Sequence, residues 1–239
     1  MATDEIAHIR REQPSPAAAQ LAAQQGLGNW TDTIATSQGF RNRKWRDWRM
    51  FLFNGGLVVT SPDGYLAAYD WRTVRVLQFR RQDGFSCQAL IDPQGNALNI
   101  GFGRIPLFQS AKAALGVSSW TNGAPFLYPN SWGDGIQDAV ARAQLPGTLK
   151  RIEVGETVTF GPYSLNKDRV WDKEYGCSWS EIVEIFCQDG SFYLNGTQRR
   201  SQAPRSEVIE RIPNLHLLMN VCIELSPKVT TFGKLGQQQ

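Results

Sequence analysis

From Glu156 to Pro227 the sequence strings short apolar runs between tight-turn residues and changes period once, near its end. Val158 and Phe160 flank a polar residue, Gly161-Pro162 breaks the run, and Tyr163 to Asn166 resumes it. Lys167-Asp168-Arg169 turns into Val170-Trp171, and Tyr175 to Trp179 continues the pattern. Ile182 to Cys187 reads as a buried strand, and Asp189-Gly190 as a hairpin turn returning into Ser191 to Leu194. Asn195-Gly196 reads as a further hairpin, into Thr197 to Ser201. β-branched and aromatic side chains suit pleated backbone, and Asp-Gly and Asn-Gly tolerate the positive φ that tight hairpins need. Leu215, Leu218, Met219, Cys222 and Leu225 then recur at helical spacing, between Ile212-Pro213 and Ser226-Pro227. Proline suits a helix's first turn and ends it when it follows the last one. A chain written this way folds as a mainly β (α+β) structure whose terminal helix covers a sheet.

The same grammar occupies residues 50–100. Met50 to Phe53 precedes the turn Asn54-Gly55-Gly56, Leu57 to Thr60 follows, and Ser61-Pro62-Asp63-Gly64 turns into Tyr65 to Trp71. Val74 to Arg80 alternates apolar and basic residues, as a half-exposed strand does. Asp83-Gly84 and Asp92-Pro93-Gln94-Gly95-Asn96 bracket Phe85 to Ile91, and Ala97 to Ile100 closes the series. The two stretches share a phrase: Trp71-Arg72-Thr73-Val74-Arg75-Val76-Leu77 against Trp179-Ser180-Glu181-Ile182-Val183-Glu184-Ile185. Each phrase leads to an Asp-Gly, and each is preceded by a Phe-ending strand and a Gly turn, Phe53 with Gly55-Gly56 and Phe160 with Gly161. A duplicated supersecondary unit accounts for this with the fewest assumptions.

The remaining segments are less regular. Ala17 to Gln25 is a helix former stopped by Gly26, and because its apolar content is mostly Ala it is expected to pack weakly or not at all. Thr31 to Gln38 carries no periodicity. Arg41 to Arg49 interleaves cations with Trp45 and Trp48. Arg41, Arg43, Lys44, Arg46 and Arg49 could together meet an anionic surface, either phospholipid headgroups or a nucleic-acid backbone. The alternative, and the more usual fate of a charge run, is a solvated strand edge whose tryptophans point inward. Between Gly101 and Trp132 an aromatic-rich insertion holds Trp120, Phe126, Tyr128 and Trp132, which either covers the core or forms a protein-recognition surface. Ser110 to Leu115 reads as one or two helical turns, and Asp134 to Leu149 as a helix that Pro146-Gly147 should kink or end early.

The phrases Phe160-Gly161-Pro162-Tyr163-Ser164-Leu165, Trp179-Ser180-Glu181-Ile182, Asp189-Gly190 and Ile212-Pro213-Asn214 resemble a family of uncharacterised bacterial proteins with pleckstrin-homology-like (PH-like) domains. The resemblance is specific over 156–225, weaker over 48–100 and absent from 1–40 and 101–131. It implies two tandem PH-like units, each a strongly bent antiparallel sheet, or partly open barrel, capped by a C-terminal helix. On that reading residues 1–45 are a tail with a short helix, and 46–150 are the first unit, with the insertion 101–131 and a helix. Residues 151–227 are the second unit and 228–239 a polar tail. Inositol-lipid-binding members of this fold carry a basic loop between their first two strands. Asn54-Gly55-Gly56 and Gly161-Pro162 are the expected counterparts and hold no cation, so no ligand residue is carried over.

Composition narrows the functional classes. A content of 41% hydrophobic and 20% charged residues is that of a folded soluble domain, and a net charge of +3 is too small to point to nucleic acid. No apolar run approaches the roughly 18 residues that span a bilayer. The acidic opening Met1-Ala2-Thr3-Asp4-Glu5 reads as no export signal, so the expected location is the cytoplasm, with membrane association if the basic segment binds lipid. Cys87, Cys177, Cys187 and Cys222 stand apart and read as reduced, buried thiols. With only His8 and His216, no Gly-x-Ser-x-Gly elbow, no phosphate loop and no metal-ligand spacing, an enzyme is not expected, nor is a cofactor. The expected function is a non-enzymatic binding or scaffold protein with a protein partner. Anionic membrane attachment through 41–49 is the alternative, and an enzyme with an unrecognised site a second one. The partner and any small-molecule ligand stay unidentified at this level.

Overall fold

The computed structural model describes residues 12–36, 44–80, 86–103, 105–127, 129–197 and 204–229. The expected turn Asp83-Gly84 falls outside them. Helix α1 (Pro16–Gln24) begins at an Ser15 cap, whose hydroxyl accepts the Ala18 N–H at 3.3 Å. It packs rather than floats, contrary to the expectation from its alanines. Ala18 and Ala22 are buried against Phe51, Phe53 and Val58, because side chains this small let the helix backbone lie close to a sheet. That sheet is a four-stranded antiparallel meander of β1 (Trp30–Ala35), β2 (Arg49–Phe53), β3 (Gly56–Thr60) and β4 (Leu66–Asp70). Its first strand arises from the segment without periodicity, so the irregular stretch expected after Thr31 is corrected to a strand.

A second sheet follows, β5 (Arg75–Arg80), β6 (Ser86–Ile91) and β7 (Asn96–Gly101), antiparallel, with β8 (Ser119–Asn122) added parallel to β7. The short helix α2 (Gln109–Ala114) lies in the connection to β8. Helix α3 (Pro129–Glu153) is longer than the pattern suggested and continues past Pro146. Pro146 deprives the Arg142 carbonyl of its usual partner, but both residues are exposed, so that carbonyl is not desolvated. Packing holds the helix on either side of the proline. Trp132, Ile136 and Val140 enter the core under the first two sheets, while Ala141, Leu145, Leu149 and Ile152 enter a separate core downstream.

That downstream core belongs to a second meander, β9 (Val158–Phe160), β10 (Tyr163–Leu165), β11 (Arg169–Trp171) and β12 (Gly176–Ser178). A three-stranded sheet follows, β13 (Ile182–Gln188), β14 (Ser191–Gly196) and β15 (Glu207–Val208), and then helix α4 (Leu215–Leu225). The β13–β14 turn is the one the sequence announced: Asp189 (φ 50°) and Gly190 (φ 74°) both adopt positive φ, the signature of a type I′ hairpin. The second expected hairpin is corrected. Asn195 and Gly196 lie inside β14, opposite Glu184 and Ile182, and the Asn195 amide donates to Glu184 Oε2 at 2.9 Å, a cross-strand bond that keeps Asn in the ladder. Helix α4 starts two residues after Pro213, and Asn214, in the left-handed region at φ 54°, is its cap.

Taken in order, the structure is mainly β, with four sheets, none of them closed into a barrel among the described residues. Four strands, three strands and a helix succeed one another twice, the first series bearing β8 and α2 as an addition. Trp71 directly follows β4 and Trp179 directly follows β12, and each is 5% exposed. The paired Phe-Gly phrases do not share this register: Phe53 ends the second strand of its meander, whereas Phe160 ends the first.

Candidate functional site

The two halves meet where the chain just before α4 lies along β5. As the edge strand of its sheet, β5 exposes unpaired backbone groups. Asn214 satisfies them as a strand would: its N–H donates to the Val76 carbonyl at 2.8 Å and its Oδ1 accepts the Val76 N–H at 2.7 Å. Its amide nitrogen donates to Gln144 Oε1 at 3.0 Å and to the Val74 carbonyl at 3.3 Å. Gln144, on α3, in turn donates to the carbonyls of Trp71 and Val74 at 2.8 and 2.9 Å. One buried residue of the second half thus fills the slot between an edge strand and a helix of the first. The β9–β10 turn secures the same segment from behind. Gly161 (φ +60°) lies so close to it that an added Cβ would stand 2.1 Å from the Arg211 carbonyl oxygen, a space only glycine leaves free.

In the second half β13 is likewise the edge strand of its sheet, and its outer side has no backbone partner among the described residues. The Asp189-Gly190 turn makes Gln188 and Ser191 a hydrogen-bonded pair, so Phe186 and Glu184 face β14 while Ile185 and Cys187 direct their backbone groups to the open edge. On the exposed face of this sheet Phe186 stacks on Tyr193 with ring centroids 4.9 Å apart. Cys187 is half-buried, and burial pushes its thiol up to about 12 despite the opposing pull of Arg80. Cys87 is raised to about 12 and Cys177 to about 11 by the same cause, and Cys222 is raised as well. All four are protonated at neutral pH and pack as small apolar groups, since the thiolate is the reactive form.

Residues 123–228 match the model of a family of unknown function (DUF6585). A comparison with curated proteins finds no match. The matched stretch takes in α3, every strand from β9 to β15, and α4. It includes Asn214 and the open β13 edge but not the β5 strand that Asn214 fills.

The residues singled out from sequence fare differently. Arg41, Arg43 and Tyr128 lie outside the described residues. Lys44 and Arg46 are exposed, with Lys44 Nζ 4.5 Å from the centre of the Trp45 ring. Arg49 is committed elsewhere: its Nε donates to Glu12 Oε2 at 2.7 Å and its terminal nitrogen to the Arg46 and Trp48 carbonyls. The segment Lys44 to Asp47 is a tight turn, not a strand edge, and Trp48 alone is fully buried there, stacked 5.5 Å from Tyr65. Because β1 starts at Trp30, the connection between the first two strands is residues 36–48, not Asn54 to Gly56. The basic segment is therefore that connection.

Of the insertion's four aromatics, Phe126 and Trp132 lie in the core, the packing alternative, and Trp120 is half-buried. Phe126 is fully buried and Trp132 is 5% exposed, set edge to face at 6.5 Å, and Trp132 Nε1 donates to the Leu127 carbonyl at 2.8 Å. Both belong to the core cluster under the first two sheets, where large rings bury much apolar surface. Trp120 is half-buried on β8, with Lys112 Nζ 4.6 Å from its ring centre. Among the described residues no three His, Cys, Asp or Glu side chains gather as a metal site. No helix of the described chain is long and apolar enough to cross a membrane. Asn214 and Gln144 escaped the sequence reading. The available signal was an Asn between a proline and a helical period, since Asn is the non-glycine residue that best tolerates the left-handed region.

Proposed function

We propose that this chain is a non-enzymatic binding protein built of two tandem PH-like units, and that it holds an extended segment of a partner protein along β13. The tandem reading is supported by the repeated order of four strands, three strands and a helix, with a buried tryptophan at the same junction in each. The binding reading rests on one observation. The edge of β5 is filled by Asn214 from elsewhere in the chain, and the matching edge of β13 has no backbone partner among the described residues. Strand addition supplies backbone hydrogen bonds for affinity and leaves side-chain pockets for specificity.

The test substitutes Cys187→Pro. Its N–H points away from β14, so proline removes a donor from the open edge without breaking the internal ladder. Affinity capture from the native cell, followed by mass spectrometry, is expected to lose a partner that the unaltered chain retains, while circular dichroism stays the same. Equal recovery of every captured protein by both chains would sink the reading.

A second reading is favoured by the position of the basic segment. As the connection between the first two strands it stands where inositol-lipid-binding PH modules place their cations, and Lys44 and Arg46 are exposed. Peripheral attachment to anionic membrane then follows. Co-sedimentation with phosphatidylserine vesicles is expected to fall steeply as salt is raised, and to fall at low salt in a Lys44→Glu, Arg46→Glu chain. Retention indifferent to both would exclude it.

A further inference from the structure

Between β1–β2 and the first half of α3 lies a cleft of about 400 Å³. Small-molecule sites span roughly 300–1,000 Å³. Its floor is apolar, formed by Leu52, Phe53, Trp71, Trp132 and Ile136. The helix wall presents Ser131, Gly135 and Ala139, spaced one turn apart on one face, so that face carries only small side chains. A Cβ added at Gly135 would meet no atom within 4 Å. A second hollow of about 380 Å³ continues the cleft and shares Asn54, Trp71, Ala139 and Arg142 with it.

Arg142 stands where the two hollows join. It is exposed and has no carboxylate partner among the described residues. The neighbouring cation, Arg72, is by contrast paired with Asp70. Asp32, the one carboxylate on the walls among the described residues, sits on the sheet side and its Oδ1 accepts the Thr33 N–H at 2.8 Å. An apolar trough ending at an unshared guanidinium complements a molecule with an apolar body and a single anionic head. A guanidinium also matches a carboxylate in shape, through two parallel hydrogen bonds.

We infer that this cleft binds a small amphipathic carboxylate, its body against Trp71 and Trp132 and its head at Arg142. The site lies on the first half, far along the chain from β13, and takes a small molecule rather than a protein. Its failure would leave the strand-addition reading standing, and the reverse holds as well.

Isothermal titration of the full chain with decanoate, decanol and decyltrimethylammonium tests it. Decanoate is expected to bind tightest. Arg142→Gln should weaken decanoate about tenfold and leave decanol unchanged, because it removes only the charge-assisted contact. Gly135→Leu fills the trough and should abolish binding of both, while raising helix propensity. Should that variant fold poorly, Ala139→Leu makes the same test one turn along. The inference is overturned if the ammonium binds as tightly as the carboxylate, or if decanoate gives no heat up to its solubility limit. It is equally overturned if filling the trough leaves decanoate affinity unchanged.

Discussion

Replacing Asn214 by Ala is expected to cost roughly 3–5 kcal/mol of stability, a large part of the ~5–15 kcal/mol that holds a typical domain folded. Three losses add. The buried Val76 N–H, which donates to Asn214 Oδ1 at 2.7 Å, is left unpaired, at about 1–3 kcal/mol. The bond to Gln144 goes with it. Alanine at φ 54° adds about 1–2 kcal/mol of backbone strain that Asn tolerates better. Urea unfolding followed by tryptophan fluorescence measures the sum, and Asn214→Gly divides it. Glycine accepts the backbone conformation and loses only the side chain, so it should be less damaging than alanine. Alanine as mild as glycine would mean that the left-handed cap carries no strain. Stability unchanged in both would mean that the two halves do not lean on this residue.

How far the sequence reveals such a residue depends on whether its role leaves a pattern. Strands β2 to β7 and β9 to β14 were legible because each alternates or runs apolar between residues with turn chemistry. The type I′ turn at Asp189-Gly190 follows from its two residues alone. Strand β1 was not legible because Thr33, on its inward face, and Thr36, just past its end, are both fully buried yet read as polar. Their hydroxyls donate to the Glu12 and Trp45 carbonyls, each at 2.6 Å, so the polarity is satisfied by chain remote in sequence. Strand β8 stayed hidden for the opposite reason: it is a sheet edge with three of its four residues exposed, so it carries no apolar face to show a period. The length of α3 was misjudged because Pro146 is a local stop signal, and two separate cores override it.

The candidate surfaces divide on the same principle. Cations are visible in sequence but their partners are not, so Arg49, tied to Glu12, could not be told from Lys44 and Arg46, which remain exposed. The cleft at Arg142 was invisible because it is defined by small residues on a helix. An open strand edge is equally silent in sequence. That β5 is covered depends on Asn214, more than a hundred residues away along the chain.

Phe126→Ala is expected to cost about 3–5 kcal/mol, the usual loss when a fully buried aromatic ring is removed and its cavity does not collapse. The site has little freedom to collapse. Phe126 bridges to Thr36 of the first sheet, Leu127 N–H donates to the Ala35 carbonyl at 2.9 Å, and Trp132 stands edge to face against the ring. Trp120→Ala, at a half-buried ring on an edge strand, should cost no more than about 1 kcal/mol. The contrast decides what the aromatic insertion is for. A core element shows a steep difference in urea midpoint between the two variants and, at equal folded fraction, no change in the proteins captured. A recognition surface would show the reverse: nearly equal midpoints, and a partner lost with Phe126. The burial of that ring beneath the first sheet is the reason to expect the former, since a side chain with no exposed surface can reach a partner only if the sheet and α3 come apart.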